Sequence, residues 1–328
     1  MEDQVRLVLR AYPSWLVGGP LESLGNHGGF SGARLWRWRG SGATFGLRAW
    51  PPETTAERLA VIHGWMREAS ETGLTFVPAL IPTASGRTWA EHGDRLWEVL
   101  QWLPGRADFH ARPSRLRLEA ACAALARLHL AWEPWRRKET GPCPAVRRRL
   151  QQQGEWDQWL RCAGPAAHRT ERDDPASPIV DRACRVLPRW IGRLSAWLAA
   201  WAEFCEPVQP CLCDPWHDHL LFEDDRLTGI VDYGAAKVDH PAVDVARLLG
   251  SLIEDDEDGW RVGLDAYRRV RPLDDHEAKL AWTLDRTGTI VGVANWIRWL
   301  LGEQRRLSDR EAAARRLATL VARLERWA

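Results

Sequence analysis

The most informative part of the chain is residues 211–234, which read CLCDPWHDHLLFEDDRLTGIVDYG. Two short apolar runs, LLF and LTGIV, flank the acidic turn EDDR, a pattern that predicts a β-hairpin. Asp214 and His219 precede this hairpin and Asp232 follows it, so we expect the three polar side chains at one end of a small ribbon. A hard cation needs oxygen ligands from separate segments and a phosphoryl acceptor needs a nearby base, and this arrangement can supply both.

The 328-residue chain has a globular composition, with 45% hydrophobic and 27% charged residues, and its length suits two domains or one domain in two lobes. The formal net charge of +1 provides no global field, so we expect neither nucleic acid nor a membrane as a partner. No stretch approaches the ~20 apolar residues of a membrane span, and Met1–Val8 does not read as a signal peptide. The seven scattered cysteines indicate reduced thiols in a cytoplasmic protein.

The first hundred residues predict strands and one helix. The apolar runs at 35–38 and 44–50 flank a Gly-Ser-Gly turn and therefore predict a hairpin. Residues 54–72 have the pattern of a helix, with Thr54 or Thr55 as its N-terminal cap.

A strand at Arg95–Leu100 ends in a Pro-Gly break, where we place a boundary between residues 1–102 and residues 103–328. The second part is predicted to be helical, with one long helix over Arg182–Phe204. A further helix begins at Ser114, and its apolar face includes His129, which we interpret as a core histidine.

Residues 211–234 resemble the catalytic and metal-binding segments of the aminoglycoside phosphotransferase and choline kinase family, which shares the protein-kinase fold. The family pattern is His-x-Asp-x-x-x-x-Asn, a hairpin, and then Asp-Phe-Gly or a close variant. The catalytic Asp falls on Asp214, the Asn position on His219 and the metal-binding Asp on Asp232, thirteen residues after His219. Further on, the sequence HPAVDVA at 240–246 resembles the family's Asp-Pro-Ala-x-Asp-Leu-Ala helix start.

The N-terminal part follows the order of elements in the small lobe of that fold, so the resemblance covers roughly residues 20–300. A glycine-rich turn comes first, although by itself it is equally typical of a plain hairpin, and backbone amides in such a turn can approach phosphates. The resemblance implies that the backbone of the hinge at 101–103 contacts the adenine. The residues implied in nucleotide binding are Gly28, Gly29, Ser31, Gly32, Arg48, Gln101 and Leu103.

The resemblance implies an α+β, protein-kinase-like fold, with a small strand-rich nucleotide-binding lobe at 1–102 and a larger helical catalytic and substrate lobe at 103–328. It implies phosphoryl transfer from ATP, or alternatively GTP, to a hydroxyl of a small molecule, with Asp214 as the catalytic residue. Asp232 and His219 are the implied ligands of Mg or Mn. The acidic run Glu254–Asp258 is either a solvated loop or a wall that attracts a cationic acceptor. The acceptor's identity and the oligomeric state stay open.

Four positions depart from the family pattern. Arg48 stands where the family has Lys, His219 replaces Asn, and Leu212 replaces the His that precedes the catalytic Asp. The Glu that pairs with the family's Lys is not evident, and His63 stands near its place. Arg keeps the phosphate-binding charge of Lys, whereas imidazole suits Mn or Zn better than Mg.

These departures leave one alternative to an active kinase, namely a catalytically inactive, nucleotide-binding homologue. The spacing of polar residues before the hairpin leaves a second alternative, a metal-dependent hydrolase. The hydrolase would use Asp214, His217 and His219, whose spacing Asp-x-x-His-x-His could hold a transition metal. That second alternative leaves the glycine-rich turn and Arg48 unexplained.

Overall fold

The computed structural model of the chain describes residues 2–16, 18–25, 32–162, 176–204, 207–303 and 310–327. The chain divides into two compact units. Unit 1 consists of Met1–Pro134, Pro215–Lys237 and Asp265–Arg271. Unit 2 consists of Trp135–Asp214, Val238–Leu264 and Pro272–Ala328. The boundary at residues 102 and 103 stays a prediction.

The described residues form the mixture of strands and helices that the α+β class requires. The strands are β1 (Glu22–Gly25), β2 (Arg34–Gly40), β3 (Ala43–Ala49), β4 (Leu80–Ile81), β5 (Ala90–His92), β6 (Arg95–Gln101), β7 (Arg137–Lys138), β8 (Pro207–Cys211), β9 (Leu220–Glu223), β10 (Arg226–Ile230) and β11 (Lys237–Asp239). The helices are α1 (Glu2–Leu9), α2 (Ala56–Glu71), α3 (Arg115–Ala131), α4 (Pro144–Cys162), α5 (Ser177–Ile191), α6 (Leu194–Ala199), α7 (Ala242–Leu252), α8 (Glu257–Arg268), α9 (Asp275–Ile297) and α10 (Arg310–Arg326). Among the described helices, none is long and apolar enough to cross a membrane.

Unit 1 contains an antiparallel sheet of six strands in the order β1-β2-β3-β6-β4, with β5 also paired to β6. The predicted hairpin is confirmed as β2 and β3, which pair from Arg34 with Ala49 to Gly40 with Ala43. Ser41 and Gly42 both have positive φ, which matches the turn to the twist of the two strands. Trp36, Phe45 and Val99 belong to the buried cluster of this unit.

Two capping residues confirm the predicted helix starts in unit 1. Thr55 precedes α2 and its hydroxyl accepts the amide hydrogen of Arg58 at 3.2 Å. Ser114 plays the same role for α3, accepting from the amide of Arg117 at 3.1 Å. On α3, His129 is fully buried with Nδ1 2.7 Å from the hydroxyl of Tyr267, which confirms it as a core histidine.

Unit 2 contains β7, β8, all of β11 except Lys237, and most of the helices. The three strands pair in the order β11-β8-β7. The single long helix predicted over Arg182–Phe204 is wrong, because α5 ends at Ile191 and α6 begins at Leu194. Gly192 caps α5 at its C-terminus. Glycine loses more backbone freedom than other residues in a helix, and this cost favours a break at that position.

The acidic run at 254–258 is tied to the C-terminal helix α10. Arg323 of α10 is buried and donates to Asp255 at 2.8 Å and to Asp285 at 2.5 Å, while Arg326 pairs with Glu254. Although burial opposes its charged form, the hydrogen bond and charge of Asp285 raise the pKa of Arg323. The first two acids of the run are therefore already paired with cations, which disfavours the run as a wall for a cationic acceptor.

We expect Arg323→Met to destabilise the protein strongly. The change leaves Asp285, which is 7% exposed, without its cation, and removing one partner of a buried ion pair costs about 3–5 kcal/mol. Arg315→Met on the same helix removes an exposed pair with Glu311 and should cost at most about 1 kcal/mol. Urea denaturation measures both free energies of unfolding, and equal losses for the two variants would contradict this assignment.

Candidate functional site

In unit 1 the hairpin of β9 and β10 brings the two predicted metal ligands together. The amide of Val231 donates to the carbonyl of His219 at 2.9 Å, so the residues that enter and leave the hairpin lie side by side. The Nε2 atom of His219 lies 3.7 Å from Oδ2 of Asp232. Asp232 itself adopts the left-handed conformation, with φ of 60°, and accepts the amide hydrogen of Gly234 at 3.2 Å.

Arg48 on β3 pairs with the other oxygen of Asp232. Its Nη2 donates to Oδ1 at 2.9 Å, and its guanidinium carbon lies 4.1 Å from the ring centroid of Trp50. Partial burial favours the neutral form of Asp232, but the charges of Arg48 and His219 and the amide of Gly234 lower the pKa of Asp232 below its ordinary value. Asp232 is therefore ionised at neutral pH.

The donor set at Asp232 suits a divalent cation that is also bound by phosphate. Mg²⁺ in proteins is held by one or two carboxylates together with phosphate oxygens and waters, and the side chain of Asp232 is 42% exposed. The imidazole of His219 adds a nitrogen donor, which favours Mn²⁺ more than Mg²⁺. Asp232 and His219 can thus hold the expected metal, although their role as ligands stays a prediction.

A buried carboxylate, Glu98, lies next to Arg48 in the sheet. Glu98 on β6 is the direct antiparallel partner of Arg48 on β3, so the two side chains lie on the same face. His63 on α2 contacts it, with Nε2 2.5 Å from Oε2 of Glu98, and its Nδ1 lies 2.7 Å from the hydroxyl of Thr88. The family motifs do not reveal Glu98, but a lone Glu inside the apolar strand RLWEVL is a sequence signal that could have done so.

The glycine-rich turn is described only at its end. Gly28, Gly29 and Ser31 lie outside the described residues. Gly32 has φ of +78°, a conformation that favours glycine, and its carbonyl accepts from Arg95 at 3.1 Å. The phosphate-binding role of this turn stays a prediction.

The predicted hinge begins at the last residue of β6, and the residues directly after it contact the β9–β10 hairpin. The amide of Gln101 donates to the carbonyl of Ala79 at 2.9 Å, and Leu103 is buried. The carbonyl of Pro104 accepts from the hydroxyl of Thr228 on β10 at 2.6 Å. Gly105 has φ of +103°, and a Cβ there would lie 2.9 Å from the carbonyl oxygen of Phe222, so only glycine fits. These contacts fix the hinge and the Asp232 hairpin together within unit 1.

In unit 2 the segment before Asp214 is held by a buried carboxylate. Asp244 on α7 is fully buried and accepts the amide hydrogens of Leu212 and Cys213, both at 2.6 Å. Cys213 has φ of 62°, in the left-handed region. Leu212, which stands where the family has His, is also buried. Asp244 thus fixes the backbone directly before Asp214.

Asp214 makes an ion pair that no sequence motif indicates. Nε of Arg247 on α7 donates to Oδ1 of Asp214 at 2.6 Å. Both side chains are partly exposed, at 37% and 43%. A carboxylate oriented in this way can accept a hydrogen bond or a proton from a hydroxyl group.

The two histidines of the alternative hydrolase site contact different carboxylates. They belong to the short 3₁₀ turn His217–His219, where Nε2 of His217 lies 3.4 Å from Asp218 and Nε2 of His219 lies 3.7 Å from Asp232. Because each imidazole contacts a different carboxylate, these contacts do not support a metal site shared by His217 and His219.

The chain belongs to the phosphotransferase enzyme family, whose family model matches residues 24–282. The resemblance to aminoglycoside phosphotransferases and choline kinases is thereby confirmed. The homoserine kinase of Cupriavidus taiwanensis is 28% identical over 237 residues, which are 69% of this chain and 64% of that protein. The homoserine kinase of Ralstonia nicotianae is 27% identical with the same coverage. The chain thus spans slightly less than two thirds of the length of these curated relatives.

Solved structures with the same fold include a spectinomycin phosphotransferase in complex with ADP and spectinomycin. Its TM-score is 0.72 at 10% identity, and the match covers 99% of this chain and 97% of that one. A choline/ethanolamine kinase family protein from Mesorhizobium loti has a TM-score of 0.59 at 18% identity, covering 98% of this chain and 94% of that one. These likenesses confirm the predicted kinase-like α+β fold.

We expect Arg48→Met to raise the pKa of Asp232. In the parent the folded-state pKa lies below the ordinary value, so the ion pair stabilises the fold above about pH 3.9 and this contribution is lost as the pH falls through the lower folded value. A ¹³C NMR titration of the Asp232 carboxyl measures the shift directly. Arg37→Met, which removes an exposed pair with Glu22, serves as the control. An Asp232 titration unchanged by Arg48→Met would contradict the ion pair.

Proposed function

We propose that this chain transfers the γ-phosphoryl group of ATP to a hydroxyl group of a small molecule. The observation that carries the proposal is the pair of Arg48 and Asp232, in which a guanidinium whose Nε has no hydrogen-bond partner among the described residues lies beside an ionised, partly exposed carboxylate. A buried unsatisfied donor costs about 1–3 kcal/mol, and phosphate oxygens are favoured acceptors for a guanidinium. A metal–nucleotide complex would bring a cation for Asp232 and anionic phosphate oxygens for Arg48.

We assign the nucleotide to residues of unit 1. Arg48 and the turn at 28–32 would hold its phosphates, and the backbone of Gln101 and Leu103 would contact the adenine. Asp232, with His219, would hold a divalent metal, which when bound neutralises charge on the β and γ phosphates. Most of the catalytic effect then comes from positioning and from neutralised charge.

Asp214 of unit 2 would act on the acceptor. Its carboxylate orients the acceptor hydroxyl and accepts the hydroxyl proton. The acceptor oxygen forms its bond to the γ-phosphorus while the bond from that phosphorus to the bridging oxygen of ADP breaks. The products are the phosphorylated acceptor and ADP.

For the acceptor we propose a small hydroxy amino acid rather than an aminoglycoside or a choline-like amine. The curated relatives are named homoserine kinases, and homoserine carries one primary hydroxyl group. Glu254 and Asp255 are paired with Arg326 and Arg323, which weakens the reason to expect a polycationic acceptor. The cytoplasmic location also stays a prediction.

A panel of acceptors tests the proposal: homoserine, serine, ethanolamine, choline and an aminoglycoside, each with ATP or GTP and with Mg²⁺ or Mn²⁺. ADP formation that depends on one acceptor, together with the phosphorylated product seen by mass spectrometry, is the expected result. ATP binding with no transfer to any acceptor would identify the inactive homologue instead. Hydrolysis of a substrate without ATP would favour the metal-dependent hydrolase.

We expect Asp214→Asn to lower kcat by about 10²–10⁴-fold, because the amide cannot accept the hydroxyl proton. Isothermal titration should give nearly the same ATP affinity as in the parent, since Asp214 is assigned to the acceptor. Asp258→Asn removes an equally charged but exposed acid and should leave kcat unchanged. Full activity in Asp214→Asn would exclude this residue as the base.

We expect His219→Asn to raise activity with Mg²⁺ relative to Mn²⁺. The change replaces an imidazole nitrogen with an amide oxygen, and oxygen donors suit Mg²⁺ better. The ratio of kcat/KM with the two metals is the measurement. His217→Asn, at the neighbouring histidine that contacts Asp218, is the matched control and should leave the ratio unchanged. The same ratio in His219→Asn and the parent would remove His219 from the metal site.

A further inference from the structure

Helix α7 contacts the segment at 212–214 in two places. The first contact is Asp244, whose two oxygens accept the amides of Leu212 and Cys213. The second is Arg247, three residues later, whose Nε donates to Oδ1 of Asp214. Residues three apart lie on the same face of a helix, so one face of α7 holds both the backbone and the side chain of the segment.

The two contacts have different consequences. Asp244 is fully buried and satisfies two backbone donors, which is a structural role. Arg247 contacts a side chain that is 43% exposed, and its hydrogen bond restricts the rotamers of Asp214. The 2.6 Å separation is that of a short, charge-assisted hydrogen bond. A carboxylate held through Oδ1 presents Oδ2 in a defined direction.

We propose that Arg247 is a positioning residue for Asp214, which it holds so that Oδ2 meets the acceptor hydroxyl. This rests on the proposed function, in which Asp214 is the base. Arg247 acts through Asp214 and not by binding the nucleotide or the acceptor. An exposed ion pair adds little to stability, whereas a small misplacement of a reacting group can cost about 10²-fold in rate.

The test is a double-mutant cycle in kcat. We expect Arg247→Met to lower kcat by about 10–100-fold, while the acceptor KM and the ATP Kd change less than about threefold. Arg247→Lys keeps the charge and should recover part of kcat. In the Asp214→Asn background, where there is no base to position, Arg247→Met should change the residual rate less than about twofold.

Arg182→Met is the matched control. Arg182 pairs with Glu325 at 2.6 Å, and the two side chains are 39% and 41% exposed, which nearly equals the exposure of the Arg247 and Asp214 pair. The Arg182→Met variant should leave kcat unchanged and should shift the thermal midpoint about as much as Arg247→Met does. A larger thermal shift for Arg247→Met than for Arg182→Met, with little effect on kcat, would show a role in stability alone and would overturn the proposal.

Two kinetic outcomes overturn the proposal. One is the same fractional loss of kcat from Arg247→Met in both backgrounds, and the other is a raised acceptor KM with unchanged kcat, which would make Arg247 an acceptor ligand. A measurement that needs no turnover separates failure of the contact between Arg247 and Asp214 from failure of the proposed function. The ¹³Cγ resonance of Asp214, assigned by its loss in Asp214→Asn, should shift in Arg247→Met and not in Arg182→Met. If the parent phosphorylates no acceptor but the resonance shifts in Arg247→Met, the proposed function is refuted and the contact is supported. If the resonance does not shift in Arg247→Met, the contact is refuted.

Discussion

The candidate site of unit 1 depends on the ion pair between Arg48 and Asp232, whose residues are 184 positions apart in the chain. The pair places the cation assigned to phosphate beside the carboxylate assigned to metal, so each compensates the charge of the other. Arg48 keeps a buried Nε without a partner among the described residues, and Asp232 is partly exposed. A metal–nucleotide complex would engage both groups together, because it brings a cation for Asp232 and anionic oxygens for Arg48.

Two further carboxylates contact the positions at which the chain departs from the family pattern, or lie next to them. Leu212 cannot form the hydrogen bonds of a His, but the buried Asp244 holds the amides of Leu212 and Cys213 directly. No Glu of α2 pairs with Arg48 in the described residues, and the charged residue beside Arg48 in the sheet is Glu98, held by His63. Each of these carboxylates thus has defined hydrogen-bond partners beside a position that departs from the family pattern.

Local patterns were sufficient to predict much of the fold. Thr55, Ser114 and the turn at Ser41 and Gly42 act through neighbours within a few residues, and each was predicted correctly. The break at Gly192 was missed, because apolar residues on both sides continue the helical pattern and the cost of one glycine is small. Helix α1 was also not predicted, since its apolar residues Val5, Val8 and Leu9 occupy only two turns.

The sequence alone determined the family and the identity of Asp214, Asp232 and Arg48 as candidate site residues, because these follow from residue type and from spacing along the chain. Only the tertiary structure decided their partners. Glu98 is paired in register with Arg48 across two strands, and Arg247 meets Asp214 because one turn of α7 separates it from the anchor Asp244. Contacts of this kind join residues that are tens of positions apart, and no local propensity encodes which charged side chain will lie within hydrogen-bonding distance of which other.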